Sequence, residues 1–353
     1  MGQGANMTLG EIVLYSIVKI AVIVPILLGA VAYLVWAERK LLGHFQQRLG
    51  PYRVGPFGLL QPIADGLKLF LKEDVIPENA DRALFVAAPL LSMAAAFMAI
   101  AVIPFGPSFH LFGFDLGKIQ IADVNAGLLY IFGIAGLGVY GVFLAGWSSG
   151  NKFSLLGALR SSAQIFSYEL TLGLSVVTVL MGAGTLQLSG IVESQAGGFW
   201  NWWIFSVHWL FFPGILGFLL YLISAFAETN RIPFDLPEAE TELVAGYHIE
   251  YSSMKFAMFF MAEYLNMIVV SSIAVTLFLG GWHPPLPLAA LKAIPGVVWF
   301  GLKAAGILFL FVWIRATLPR FRYDQLMNFG WKALLPLAMA NVLFAAIGLL
   351  IVG

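Results

Sequence analysis

Apolar residues along this chain run in about eight blocks, each near the roughly 20 residues a helix needs to cross a bilayer's hydrocarbon core. They extend approximately over Ile12–Trp36, Ala83–Ile103, Val124–Gly146, Ser161–Met181, Ser206–Ala227, Phe256–Gly280, Val297–Thr317 and Ala333–Val352. The first block is full-length and has no small-residue cleavage site, so it reads as a permanent helix rather than a signal peptide. The pattern predicts an all-α polytopic membrane protein, a single transmembrane domain over residues 1–353.

Polar residues fall between the blocks, and their charges are lopsided. The connections after blocks 1, 3, 5 and 7, with the adjoining span ends, carry 15 lysines and arginines, whereas the other side carries only Lys118 and Lys292. The positive-inside bias places the basic connections in the cytoplasm (or matrix) and both termini outside. In a bacterial cell this is the inner membrane, with the termini in the periplasm. Trp36, Trp147 and Trp331, and Trp200, Trp202, Trp203, Trp282 and Trp299, fall near the two interfaces, where amphipathic rings belong. Lys19 and Lys303 lie inside blocks but toward their outer ends, where long stems snorkel, so both read as structural.

The first basic connection, residues 37–82, has a pattern of its own. Leu59, Leu60, Ile63, Leu67, Phe70 and Leu71 recur at helical spacing, with Asp65, Lys68 and Lys72 on the other face. That predicts an amphipathic helix over Leu59–Lys72 lying on or against the membrane, and simple anchoring accounts for the pattern as well as a site does. Before it stand Ala37-Glu38-Arg39-Lys40 and Gln46-Gln47-Arg48-Leu49-Gly50-Pro51, a polar, basic run able to meet a partner protein or an anionic surface.

The third basic connection, residues 228–255, is acidic instead. Glu228, Asp235, Glu238, Glu240, Glu242 and Glu250 face one base, Arg231, and Glu263 follows inside block 6. Carboxylates in and beside a bilayer are costly and mark ion or proton paths by default. Helix capping accounts for Asp235 and Glu238 if a helix starts at Leu236, but not for the other five. On such a helix Glu238 and Glu242 share a face while Glu240 points elsewhere, which makes a funnel rather than a stripe. Crowded carboxylates cannot all ionise near neutral pH, and groups that hold and release protons there suit a relay. Glu169, about two turns into block 4, has too short a stem to snorkel and needs a polar cavity or a partner.

Composition narrows the class further. The chain is 60% hydrophobic and only 11% charged, with mean hydropathy +0.88, which excludes a soluble globule. It has no cysteine, so it offers no thiolate for zinc or iron–sulfur clusters and no cysteine nucleophile. The net charge is zero and no long, dense cluster of lysines and arginines occurs, so nothing here suggests nucleic acid. Gly136-Leu137-Gly138-Val139-Tyr140-Gly141 matches the dinucleotide fingerprint in letters only. That motif works at a strand-to-helix turn, and within an apolar helix small residues serve close helix packing.

Three longer stretches carry a resemblance. Ala37-Glu-Arg-Lys40 with Gln47-Arg-Leu-Gly-Pro51, then Gln61-Pro-Ile-Ala-Asp-Gly-Leu-Lys68 with Lys72-Glu73, then Ala227 through Tyr251 closely resemble the quinone-site membrane subunit family of respiratory complex I. Its members are the H-type subunit of bacterial NADH:quinone oxidoreductase and NADH dehydrogenase subunit 1 of mitochondria. The likeness covers essentially the whole chain, including eight spans with both ends outside. It implies a quinone (ubiquinone or menaquinone) as substrate, with no metal, flavin or iron–sulfur cluster on this chain. It also implies peripheral partners that carry the last iron–sulfur cluster and neighbouring membrane subunits. Carried over by position, Glu228, Glu263 and Glu169 are channel glutamates, and Asp235, Glu238, Glu240, Glu242 and Glu250 form an acidic funnel. Arg39, Gln47, Arg48, Gln61 and Asp65 border the chamber, and Leu60, Ile63 and Phe70 touch the isoprenoid tail. Related subunits of energy-converting hydrogenases, which reduce no quinone, keep the same fold. A secondary transporter fits less well, because no internal repeat and no paired broken spans occur.

Overall fold

The computed structural model describes residues 9–111, 114–205, 211–235 and 244–352. They form α1 (Leu9–Phe45), α2 (Gln61–Leu71), α3 (Arg82–Ile100), β1 (Ser108–Leu111), β2 (Phe114–Lys118), α4 (Gly127–Ser148), α5 (Lys152–Ala183), α6 (Leu188–Ser194) and α7 (Phe211–Glu228). After the acidic connection come α8 (Ser253–Phe278), α9 (Ala289–Lys292), α10 (Gly296–Thr317), α11 (Tyr323–Phe329), a π-helical segment (Gly330–Leu334) and α12 (Leu335–Val352). Among the described residues, seven helices are long and apolar enough to cross a membrane, and α7 adds a shorter apolar one. The chain is thus an all-α polytopic membrane protein, as its hydropathy predicts. Among the described residues its one departure is the small antiparallel hairpin β1–β2.

Helix α8 is the axis of the bundle. Of its most apolar window 72% is buried, against 17% for α1, which runs along the outside. Glycines set the closest approaches. A Cβ on Gly141 of α4 would collide with Ser92 Oγ of α3, and one on Gly146 would collide with Ala158 of α5. Gly138 likewise faces Ala95. The glycine motif of block 3 is therefore a helix-packing face, as its setting in an apolar helix predicts.

The end of α8 far from the acidic connection shows how a helix terminus inside a membrane protein satisfies its carbonyls. Gln195 donates to Thr276 O at 2.9 Å and accepts from the Gly280 N–H at 2.9 Å. Lys303 Nζ donates to the carbonyls of Leu279, Gly281 and His283 at 2.6–2.9 Å and lies 4.2 Å from the centre of the Trp202 ring. Lys303 is structural, but by bonding inward rather than by snorkelling outward. Lys19 likewise donates to Gln120 O at 3.0 Å.

Two helices outrun their hydropathy blocks. Helix α1 continues nine residues past Trp36, so Ala37–Phe45 is helical rather than loop. Helix α5 begins at Lys152, capped by Asn151 Oδ1 on Phe153 N, which places Glu169 deeper along its helix than a start at Ser161 implied. The amphipathic pattern over Leu59–Lys72 is realised as α2, no residue of which is buried. The helix start expected at Leu236, with Glu238, Glu240 and Glu242, lies outside the described residues.

Candidate site: a buried charge cluster and a carboxylate-lined cavity

The turn after α7 carries Arg231 into the bundle, where its side chain is only 8% exposed. A guanidinium cannot be stripped of water there without carboxylate partners. Two come from remote helices. Arg231 Nη1 donates to Glu38 Oε1 of α1 at 3.4 Å, and its Nε lies 2.8 Å from Glu263 Oε1 of α8. The second contact is an ion pair by distance, without the alignment of a hydrogen bond. Glu38 is more enclosed still, at 3% exposure. It also accepts from Arg315 Nη1 of α10 and, at 2.7 Å, from Tyr264 Oη. The Tyr264 ring lies under the Arg231 guanidinium at 4.4 Å. Two carboxylates and two guanidiniums from four elements therefore close into a formally neutral cluster that meets solvent mainly through Arg315.

Asp235 stands at the exit of the same turn. Its Oδ2 takes a hydrogen bond from Arg320 Nη2 at 2.9 Å, and its charge reaches Glu263. Burial pushes its carboxyl above the ordinary aspartate range even though Arg320, Arg315 and Arg231 pull it down.

On the other side of Glu263 a cavity of about 90 Å³ opens between α3, α4, α5, α7 and α8. Its polar lining includes Glu228, Glu263, Asn230, Asn266, Tyr221 and Ser92, set in an otherwise apolar wall. A polar void of this size has room for several waters. Glu169, half-buried on α5, lies beyond: Glu228 feels its charge, and its Oε1 comes within 3.9 Å of where a Cβ on Gly136 would stand. Asp235, Glu263, Glu228 and Glu169 thus follow one another in space.

The chamber residues read from the sequence divide. Arg39 Nη1 pairs with Asp65 Oδ2 at 2.7 Å and so ties α1 to α2, while Gln61 Nε2 donates within α2 to Asp65 Oδ1 at 2.9 Å. Leu60, Ile63 and Phe70 are all exposed, Phe70 by 71%, on a continuous apolar face. Arg48 bonds instead to Gln46 Oε1, and Gln47 takes a left-handed backbone at φ 53°. Glu250 does not join the carboxylates either, since it accepts from Asn151 Nδ2 at the start of α5. The first and third basic connections are joined: Lys255 pairs with Asp74 at 2.9 Å, and Ser253 Oγ donates to Leu69 O.

Sequence reading missed Glu38 and Tyr264 and used Arg315 only as a topological charge. The available signal was an arginine at the end of an apolar block, which inside a bundle demands a carboxylate.

Comparison with known proteins identifies the family. The family model described as NADH dehydrogenase matches residues 18–346. The chain is 53% identical to the second H-type subunit of NADH-quinone oxidoreductase of Koribacter versatilis (strain Ellin345), over 96% of this chain and 99% of the relative. It is 53% identical to the H-type subunit of the same oxidoreductase from Rhodospirillum rubrum, over 93% and 91%, and 54% identical to that of Thermomicrobium roseum, over 91% and 92%.

Proposed function

The chain belongs to the NADH dehydrogenase family of membrane subunits, and from that premise we propose that its carboxylates link quinone reduction to proton translocation. The observation that carries this reading is the succession from the charge cluster through the cavity: Asp235 acts on Glu263, Glu263 and Glu228 line one cavity, and Glu169 acts on Glu228. A quinone, ubiquinone or menaquinone, occupies a chamber over the Glu38 end of the bundle. Arg39, Gln61 and Asp65 border it with Gln47 and Arg48, and the exposed face of Leu60, Ile63 and Phe70 receives its apolar tail. Two electrons arrive from a peripheral iron–sulfur subunit, and two protons complete the quinol. The acidic connection, with Glu238, Glu240 and Glu242, is the funnel on that side, which faces the cytoplasm of a bacterial inner membrane. Both termini then face the periplasm.

Charge developed on the reduced quinone acts on the cluster, because two unit charges 4 Å apart interact by about 4 kcal/mol at an effective dielectric near 20. Arg231 transmits the change from Glu38 to Glu263, and the cavity carries a proton between Glu263 and Glu228. Glu169 passes it toward neighbouring membrane subunits. Glu263→Gln in the assembled enzyme, reconstituted in vesicles, is expected to abolish the proton gradient formed on NADH-dependent quinone reduction. A gradient and a reduction rate both at the unmodified level would refute the path.

A further inference from the structure

Gln164 of α5 is fully buried, and among the described residues its hydrogen bonds go to none of the charged groups. Its Nε2 donates to Ala227 O at 2.8 Å and to Phe234 O at 2.9 Å, and lies 3.2 Å from Asn230 Oδ1. Asn230 Nδ2 in turn donates to Ser161 Oγ at 3.3 Å, one turn earlier on α5. One amide thus gathers residues 227, 230 and 234, the two ends and the middle of the turn that leaves α7. An amide nitrogen has two hydrogens, so it serves both carbonyls at once, as a hydroxyl or a methionine cannot. The turn it closes carries Glu228 at its start, Arg231 at its centre and Asp235 just past its end. Ala227 O also accepts from the Asn230 N–H at 3.3 Å, so it is the bond to Phe234 O, at the far end of the turn, that depends on Gln164, and leaving that buried carbonyl unmade is what would let the turn move.

We propose that Gln164 is a positioning residue for energy coupling: by clasping the turn over residues 227–234 it holds the Arg231 guanidinium between Glu38 and Glu263. The inference rests on the carboxylate path proposed above and adds to it a group that neither titrates nor meets quinone. Its role is one of placement. Lengthening or loosening the clasp moves Arg231 off one carboxylate or the other, and the cluster stops responding as a unit.

The test uses the whole enzyme in vesicles, with Gln164→Met and Gln164→Glu, each alone and combined with Arg231→Gln. For Gln164→Met the expected result is co-purification with the partner subunits and a quinone KM within about twofold of the unmodified enzyme. Proton translocation per quinone reduced should fall about tenfold, the scale of one buried hydrogen bond left unmade. Gln164→Glu, which keeps one donor when its buried carboxyl is protonated, should recover part of that loss. Combined with Arg231→Gln, neither variant should lower coupling further, because both act through the same guanidinium. Additive losses, or equal losses for Met and Glu, would overturn the clasp. If Gln164→Met fails to assemble, Gln164→Glu with Arg231→Gln decides alone on the same additivity. Glu263→Gln in parallel separates the two ideas. Intact pumping there removes the path itself, whereas lost pumping there with normal coupling in Gln164→Met removes only the clasp.

Discussion

Glu38 shows what a side chain can mean that its neighbours in sequence do not reveal. Read in line it belongs to the basic run Ala37–Lys40. In space it is the anion of a cluster whose other members lie 193, 226 and 277 residues away. Local pattern carries no trace of such pairings, whereas Glu228 and Glu263 were legible because a carboxylate in an apolar block is conspicuous by itself. Glu38→Gln strands two guanidiniums with one carboxylate, and removing one partner of a buried pair costs about 3–5 kcal/mol. The expected outcome is a subunit that unfolds at a clearly lower temperature in detergent and drives little or no proton translocation. His248 offers a measurement outside the spans. Burial against the Tyr247 and Phe256 rings lowers its pKa from 6.5 to about 4. Above pH 6.5 folded and unfolded chains both hold it neutral. As the pH falls through 6.5 toward 4 the unfolded chain takes the proton first, and at about 1.4 kcal/mol per pH unit roughly 3 kcal/mol of stability drains away. Unfolding followed across that range should show a shallower pH slope for His248→Phe than for the unmodified chain.

At the scale of elements, existence was legible and ends were not. An apolar block ends where the first polar residues begin, but a helix ends where its backbone hydrogen bonds do. Helix α1 continues through Glu38 because that side chain has buried partners to meet, and α5 starts early because Asn151 caps it. The amphipathic spacing of α2 survived translation into structure almost unchanged, since a helical period is set locally along the chain. The glycines of α4 are not equivalent. A Cβ at Gly141 strikes α3, whereas one at Gly133 meets nothing within 4 Å. Gly141→Ala should therefore destabilise the subunit by about 1–3 kcal/mol, the usual cost of overpacking. Gly133→Ala should be neutral or slightly stabilising, and the pair is read by thermal unfolding of the purified chain.

For the molecule as a whole, the bilayer did most of the specifying. It demands long apolar helices with every backbone group satisfied, and this demand is written plainly in composition. Small outer features such as the β1–β2 hairpin and α6 answer to no such demand, and they left no readable signal. Sidedness can be tested directly because the chain contains no cysteine to mask a label. Glu193→Cys should react with a membrane-impermeant maleimide from the periplasmic side, whereas Lys72→Cys should react only after the membrane is opened. The reverse pattern would invert the proposed topology. The Glu38 cluster also bears on how the chain is born. Its carboxylate is synthesised 193 residues before Arg231 and 277 residues before Arg315. At about 5–20 residues per second the ribosome needs on the order of 15–55 s to supply the last partner. Until then the nascent amino-terminal half carries a charge awaiting neutralisation, and the insertion machinery must shelter it until the carboxy-terminal half arrives.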